Sequence, residues 1–254
     1  MPIIAISGSA SGIGAALRDR LERAGTRVLG IDLRDAEVTV DLATPEGRAR
    51  AIGAVRDACA GRLDGLVTCA GVGPQVSDWP LIVALDYFGS QALLVGLRDL
   101  LAAARGAAVA VSSNSSTISP VDAAIVDACL AGDQQRACAR AAALSGQHAY
   151  ASAKLAIARF VRHEAPQPAW AGAGIRLNAV APGAVATPLL AAGLDDPVYG
   201  PAIRGFPIPL GGFGRPEEVA AAIAFLLGPE SAFCCGSVLF ADGGSDALLR
   251  PDQY

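Results

Sequence analysis

The run Gly8-Ser9-Ala10-Ser11-Gly12-Ile13-Gly14 constrains this chain most, because it sits directly between an apolar run, Ile3 to Ser7, and an amphipathic one, Ile13 to Ala24. A strand that turns into a helix within so few residues needs glycines. The same turn lets backbone approach a pyrophosphate, which then rests on the positive helix N-terminus. The spacing is G-x-x-x-G-x-G rather than G-x-G-x-x-G, and a plain tight turn would also carry glycines. The strand before and the helix after favour nucleotide binding. Gly8, Ser11, Gly12, Ile13 and Gly14 are therefore candidate cofactor residues.

Asp32, with Leu33 beside it, follows the next apolar run, about twenty residues beyond the turn, where a carboxylate accepts both ribose hydroxyls of NAD. A 2′-phosphate there would meet like charge, which disfavours NADP, although Arg34 could partly compensate. Asp41 and Leu42 are candidates for the adenine pocket.

Beyond this unit, short apolar runs alternate with longer amphipathic segments, the pattern of βαβ units and a mainly parallel sheet. Strands are expected near Ile3 to Ser7, Arg27 to Ile31, Gly65 to Cys69, Ala107 to Ser112, Gly174 to Val180 and Ser237 to Phe240. Helices are expected at Ile13 to Ala24, Pro45 to Ala60, Ile82 to Ala104, Ala149 to His163 and Pro216 to Leu227. Pro166 and Pro168 should stop the fourth of these. Two stretches break the alternation. Asn114 to Gly146 has room for one or two extra helices, and Ala186 to Gly214, rich in Pro and Gly, is long enough to be a lid or an interface. With no linker or repeat, the 254 residues are expected to form one α/β domain, a doubly wound parallel sheet with helices on both faces.

The net charge is −4 and the 19 arginines are scattered over helix faces, so nucleic acid is not an expected partner. Cys59, Cys69, Cys129, Cys138, Cys234 and Cys235 include no C-x-x-C pair and no clustered histidines. No metal site is expected, and buried free thiols in a reducing compartment are the simpler reading. The N-terminal residues lack the basic region of a signal peptide, and no transmembrane helix is expected. The expected location is the cytoplasm.

Only one lysine occurs, Lys154, four residues after Tyr150 in Tyr150-Ala151-Ser152-Ala153-Lys154. On a helix that spacing puts ammonium and phenol on one face. Lysine is a compact charge with three donors, able to serve a ribose hydroxyl and a phenol together, which the arginine fork cannot copy.

Taken together, these elements resemble the short-chain dehydrogenase/reductase family over nearly the whole chain. Cys69-Ala70-Gly71 stands where the family has Asn-Asn-Ala-Gly. Ser112-Ser113 resembles its catalytic serine segment, with Ser113 the active one. Asn178 to Gly183 and Thr187 resemble the stretch that packs on the nicotinamide. The resemblance implies a Rossmann-like fold with a helical insertion before the Tyr150 helix, Ser113, Tyr150 and Lys154 as catalytic residues, and NAD held also by Cys69, Ala70, Gly71, Tyr150, Lys154, Pro182, Gly183, Val185 and Thr187. Gly30 to Val38, Cys69 to Gln75 and the Arg250-Pro251-Asp252-Gln253-Tyr254 tail are most similar to a bacterial hydroxysteroid dehydrogenase branch of the family. One departure stands out. In Leu85-Asp86-Tyr87-Phe88-Gly89, Asp86 occupies the place of an asparagine that relays protons through water, so a carboxylate enters the catalytic set.

In this reading Tyr150 is the acid in ketone reduction and the base in alcohol oxidation. A phenol pKa near 10 must fall by about 3 units, roughly 4 kcal/mol, to work near neutrality. One ammonium about 4 Å away at an effective dielectric near 20 supplies roughly that. Ser113 would hold the substrate oxygen. Leu189, Leu190, Val198, Tyr199, Ile203, Phe206, Ile208, Leu210 and Phe213 would line the loop over the substrate, with Arg204 its sole cation. The expected substrate is an apolar cyclic alcohol or ketone, a 3α-hydroxysteroid first and a monocyclic terpene alcohol second. The rival from another class is a non-catalytic NAD-binding scaffold protein. Ser113 and Tyr150 lie 37 positions apart, far more than the family's usual spacing. The added residues should block the helix interface used in family tetramers and leave a homodimer through Pro216 to Leu227 and Ser237 to Phe240.

Overall fold

The computed structural model describes residues 1–253; Tyr254, the end of the tail that carries part of the resemblance, lies outside the described residues. Seven parallel strands form one sheet in the order β3-β2-β1-β4-β5-β6-β7. They are β1 (Ile3–Ser7), β2 (Arg27–Asp32), β3 (Val38–Thr39), β4 (Gly65–Thr68), β5 (Ala107–Val111), β6 (Arg176–Pro182) and β7 (Val238–Ala241). The order reverses between β1 and β4. At such a switch point the strand ends open a crevice for a ligand. Strand β3 was not expected, since two residues carry no alternation to read.

Residue alternation along the strands sends side chains to two cores. Ile4 and Ile6 of β1 pack with Leu17 and Leu21 of α1 (Gly12–Arg23). Ala5 faces the opposite core with Ala51 and Val55 of α2 (Pro45–Ala58). Each face is therefore closed by helices, the requirement of a parallel sheet.

The long helix expected at Ile82 to Ala104 is broken. Asp78 caps α3 (Trp79–Val83), accepting from the Leu81 amide at 3.3 Å. A π-helical segment, Ala84–Gly89, follows, then α4 (Ser90–Gly96) and α5 (Arg98–Ala104). The π segment buries Asp86, Tyr87, Phe88 and Gly89 in succession, so it is enclosed on every side, and such single wider turns occur mostly at functional sites. The run Trp79–Gly96 is also long and apolar enough to cross a membrane, contrary to expectation, but 56% of it is buried within the fold, as befits a core helix.

The insertion holds more helix than expected: α6 (Ser115–Ile118), α7 (Ala123–Leu130) and α8 (Gln134–Ala142). Asp122 and Asp133 start the last two by accepting from Ile125 N and Arg136 N, both at 3.0 Å. Helix α9 (Gly146–Glu164) then carries Tyr150 and Lys154, with α3, α6 and α7 packed along it. The segment 186–214 folds into α10 (Pro188–Asp195) and α11 (Gly200–Arg204); α12 (Pro216–Leu227) and α13 (Ser245–Leu249) complete the chain.

Candidate active site

The strand ends surround one cleft of about 260 Å³. Gly8 begins its floor with φ +73°, and a Cβ there would lie 2.7 Å from Ala70 N. No side chain fits. Ser11, at the N-cap of α1, makes no capping bond, so the first-turn amides stay available to a ligand. Gly8, Ser11, Gly12 and Ile13 all line the cleft, whereas Gly14 does not. A Cβ on Gly14 would sit 2.0 Å from Gly8 O, so this glycine seats the helix on the turn instead of meeting a ligand. Among the expected glycine-turn residues it alone stands back from the cleft lining.

Asp32 stands at the end of β2, with Oδ2 accepting from Ala10 N at 3.0 Å and Oδ1 from Leu33 N at 2.7 Å. Two backbone donors fix the carboxylate in the cleft. Leu33, Asp41, Leu42, Cys69, Ala70 and Gly71 line the same side, and Pro182, Gly183, Val185 and Thr187 the other. The Cys69 thiol is pushed up to about 11 by burial, against the pull of Lys154, so it stays neutral there. Its sulfur is not a nucleophile. Val40, Val72, Leu85 and Pro188 also line the cleft. Sequence reasoning missed these four because apolar residues at strand and helix ends look like any core residue.

The two serines after β5 divide their work by alternation. Ser112 Oγ donates to Lys154 O at 2.7 Å, tying the strand end to α9. Ser113 turns into the cleft instead, its Oγ accepting from Ser115 N at 3.2 Å and Ser115 Oγ at 3.0 Å. Tyr150 and Lys154 reach the same space from α9, with Lys154 Nζ 5.6 Å from the phenol ring centre. Nζ also donates to Val111 O at 3.3 Å.

Asp86 completes the cluster. Its Oδ1 accepts from Val72 N at 2.9 Å, and Oδ2 lies 3.2 Å from Lys154 Nζ, an ion-pair contact outside hydrogen-bond geometry. Burial pushes the Asp86 carboxyl up, partly opposed by Lys154 and the Val72 amide. Burial would lower the Lys154 ammonium, but Asp86 and then Tyr150 outweigh it and hold its pKa above the ordinary value.

The phenol behaves otherwise than expected from one ammonium alone. Burial raises the Tyr150 pKa; Lys154 pulls it down, Asp86 pushes it back up, and nearby Ser113 lowers it slightly, with the net result above the ordinary value. The expected fall leaves out first the burial of the phenol and then the carboxylate beside the ammonium. In this arrangement Tyr150 keeps its proton at neutral pH. The cluster can thus offer an oxygen atom two hydroxyl donors, one of them a proton donor.

The loop over the cleft also differs from expectation. Of the nine apolar residues expected over the substrate, Leu189 and Leu190 line the cleft, while Ile208, Leu210 and Phe213 line a separate hollow beside β7. Val198 is 75% exposed, so it covers nothing. Arg204 donates to Leu194 O at 2.9 Å, within the loop itself. The cysteines are free but not uniformly buried: Cys59 and Cys129 are buried and Cys235 is exposed.

A family model described as enoyl-(acyl carrier protein) reductase matches residues 135–246. The 3-alpha-hydroxysteroid dehydrogenase/carbonyl reductase of Comamonas testosteroni is 45% identical over the full length of both chains. The cis-4-hydroxycyclohexanecarboxylate dehydrogenase of Sinomonas cyclohexanicum is 32% identical over 97% of each. Among solved structures, the 3-alpha-hydroxysteroid dehydrogenase from Pseudomonas sp. B-0831 complexed with NADH superposes with a TM-score of 0.94 at 50% identity, covering 99% of this chain and all of that one.

Proposed function

This chain belongs to the short-chain dehydrogenase/reductase family, and on that premise we propose that it is an NAD-dependent oxidoreductase interconverting a secondary alcohol and a ketone on an apolar cyclic substrate, a 3α-hydroxysteroid first. The observation that carries this reading is one continuous cleft running from the glycine turn and Asp32 to Ser113, Tyr150 and Lys154. The side-chain-free approach at Gly8 and the uncapped start of α1 fit a dinucleotide pyrophosphate. The fixed carboxylate of Asp32 favours NAD over NADP.

A bound nicotinamide supplies or takes up the hydride. In reduction, Ser113 donates a hydrogen bond to the carbonyl oxygen and Tyr150 gives it a proton. A phenol held protonated by burial suits that acid role. In oxidation the same phenol must first lose its proton, so alkaline pH favours this direction. Lys154 stabilises the phenolate and reaches toward the ribose. Asp86 keeps the ammonium charged and in place. The three-residue gap between Tyr150 and Lys154 resembles carbonyl reductases of the family more than its enoyl reductases.

The reading takes residues 1–254 as one catalytic domain in the cytoplasm, where its free cysteines stay reduced. It also takes the chain as a homodimer. Helices α6 and α7 cover α9, while Phe225 on α12 and Leu239 on the edge strand β7 remain exposed. A panel of hydroxysteroids and monocyclic terpene alcohols assayed with NAD tests the function. Reduction of NAD by a 3α-hydroxysteroid above all others supports it; preference for a terpene alcohol moves the substrate, and no turnover with either class favours an NAD-binding scaffold.

A further inference from the structure

Arg48, on the first turns of α2, is 8% exposed, and all four of its side-chain hydrogen bonds go to neutral acceptors. Nε donates to Leu42 O at 2.8 Å, and Nη2 to Ala43 O at 2.8 Å and Ala84 O at 2.6 Å. Nη1 donates to Gln134 Oε1 at 2.7 Å, and the guanidinium carbon lies 5.9 Å from the Phe88 ring centre. A buried charge with no ion-pair partner, Asp41 acting on it only through space, is costly, and an apolar side chain of similar volume would fill the space with less desolvation. Its presence calls for a positional reason.

The acceptors supply that reason. Leu42 lines the cleft on the side of Asp32 and Asp41. Ala84 opens the π-helical segment, two residues before Asp86, and Phe88 belongs to the same segment. Gln134 opens α8, so the insertion holds the guanidinium from outside. One planar fork therefore joins the nucleotide side of the cleft to the turn that delivers Asp86 to Lys154. Lysine could not serve these diverging carbonyls together.

We propose that Arg48 is a positioning residue that fixes the Leu42 wall of the cofactor pocket and the π turn bearing Asp86 as one unit. The proposal rests on the cleft being the cofactor and catalytic site. In Arg48→Lys, NADH affinity falls about tenfold or more, as expected on losing hydrogen bonds from a charged donor. The pH profile of alcohol oxidation moves as Asp86 shifts against Lys154. Exchange of the Val72 amide, which donates to Asp86, speeds up while the amides of β1 keep their wild-type rates.

Gln134→Leu removes a single anchor far from the reacting atoms and should change NADH affinity and Val72 exchange in the same direction, by less. A folded Arg48→Lys protein with wild-type NADH affinity, pH profile and Val72 exchange overturns the proposal. Should Arg48→Lys not fold, wild-type affinity and exchange in Gln134→Leu overturn it. A wild-type chain that binds no NADH, yet whose Arg48→Lys variant shows the faster Val72 exchange, removes the proposed function and leaves this coupling standing.

Discussion

Lys154 Nζ lies 3.2 Å from Asp86 Oδ2, with both side chains shut away from solvent. An ammonium that would otherwise act on Tyr150 alone is paired with a carboxylate, so the field it exerts on the phenol is reduced.

Asp86→Asn should therefore move the pH profile of alcohol oxidation to lower pH. The sign follows from the charges: Asp86 raises the Tyr150 pKa, so its removal leaves Lys154 unopposed and the phenolate forms sooner. Asparagine still accepts from the Val72 amide, which preserves the turn. A profile unchanged or moved to higher pH places Asp86 outside the proton-handling set. Asp86→Ala is harsher: it strands a buried ammonium and should destabilise the fold by about 3–5 kcal/mol in urea titrations.

Lys154→Arg conserves charge and should still lose most turnover, because the guanidinium cannot occupy the place of Nζ between Asp86, Val111 O and the Tyr150 ring. Steady-state kcat/KM for alcohol oxidation is the readout. Retention of more than about a tenth of wild-type activity, a loss under ~1.4 kcal/mol, contradicts the role given to the ammonium.

Cofactor preference should follow Asp32. The wild-type protein is expected to favour NAD, and Asp32→Ala to narrow the gap with NADP by removing the carboxylate that faces a 2′-phosphate. Comparison of kcat/KM for the two cofactors decides it. Equal use by the wild-type protein would assign the pocket to Arg34 instead.

Light scattering should give the mass of a homodimer. Substituting the exposed Phe225 or Leu239 with a charged residue should shift it towards monomer, since both stand on the face expected to pair. A tetramer, or a dimer built on α9, contradicts the covering of that helix by α6 and α7.

Much of this was legible in the chain because it is local. The glycine turn, Asp32 at a strand end and the Tyr150–Lys154 spacing each lie within a few residues, and backbone geometry converts that spacing directly into position. Asp86 was legible as a residue type in an unusual place, but its effect on Tyr150 was not, because the size of that effect depends on how close the fold brings the carboxylate to the phenol. The π segment was hidden because one wider turn leaves no separate mark on the largely apolar helical run around it. Arg48, one of the arginines expected on solvated helix faces, is buried instead, and nothing local shows it, because its acceptors are backbone carbonyls from two parts of the chain and one side chain from the insertion. In the loop after Thr187, apolarity alone could not say which residues face the cleft and which the hollow beside β7.

Oxidation of NADH by a 3-oxosteroid, followed by absorbance for the wild-type protein and Tyr150→Phe together, shows whether Tyr150 passes a proton to the oxygen of a cyclic ketone. Wild type should consume NADH, and the phenylalanine variant should still bind NADH yet lose at least about a hundredfold in kcat, the lower range for a general acid. Wild-type turnover in the variant, or no NADH consumption by the wild-type protein with any cyclic ketone, would contradict the account.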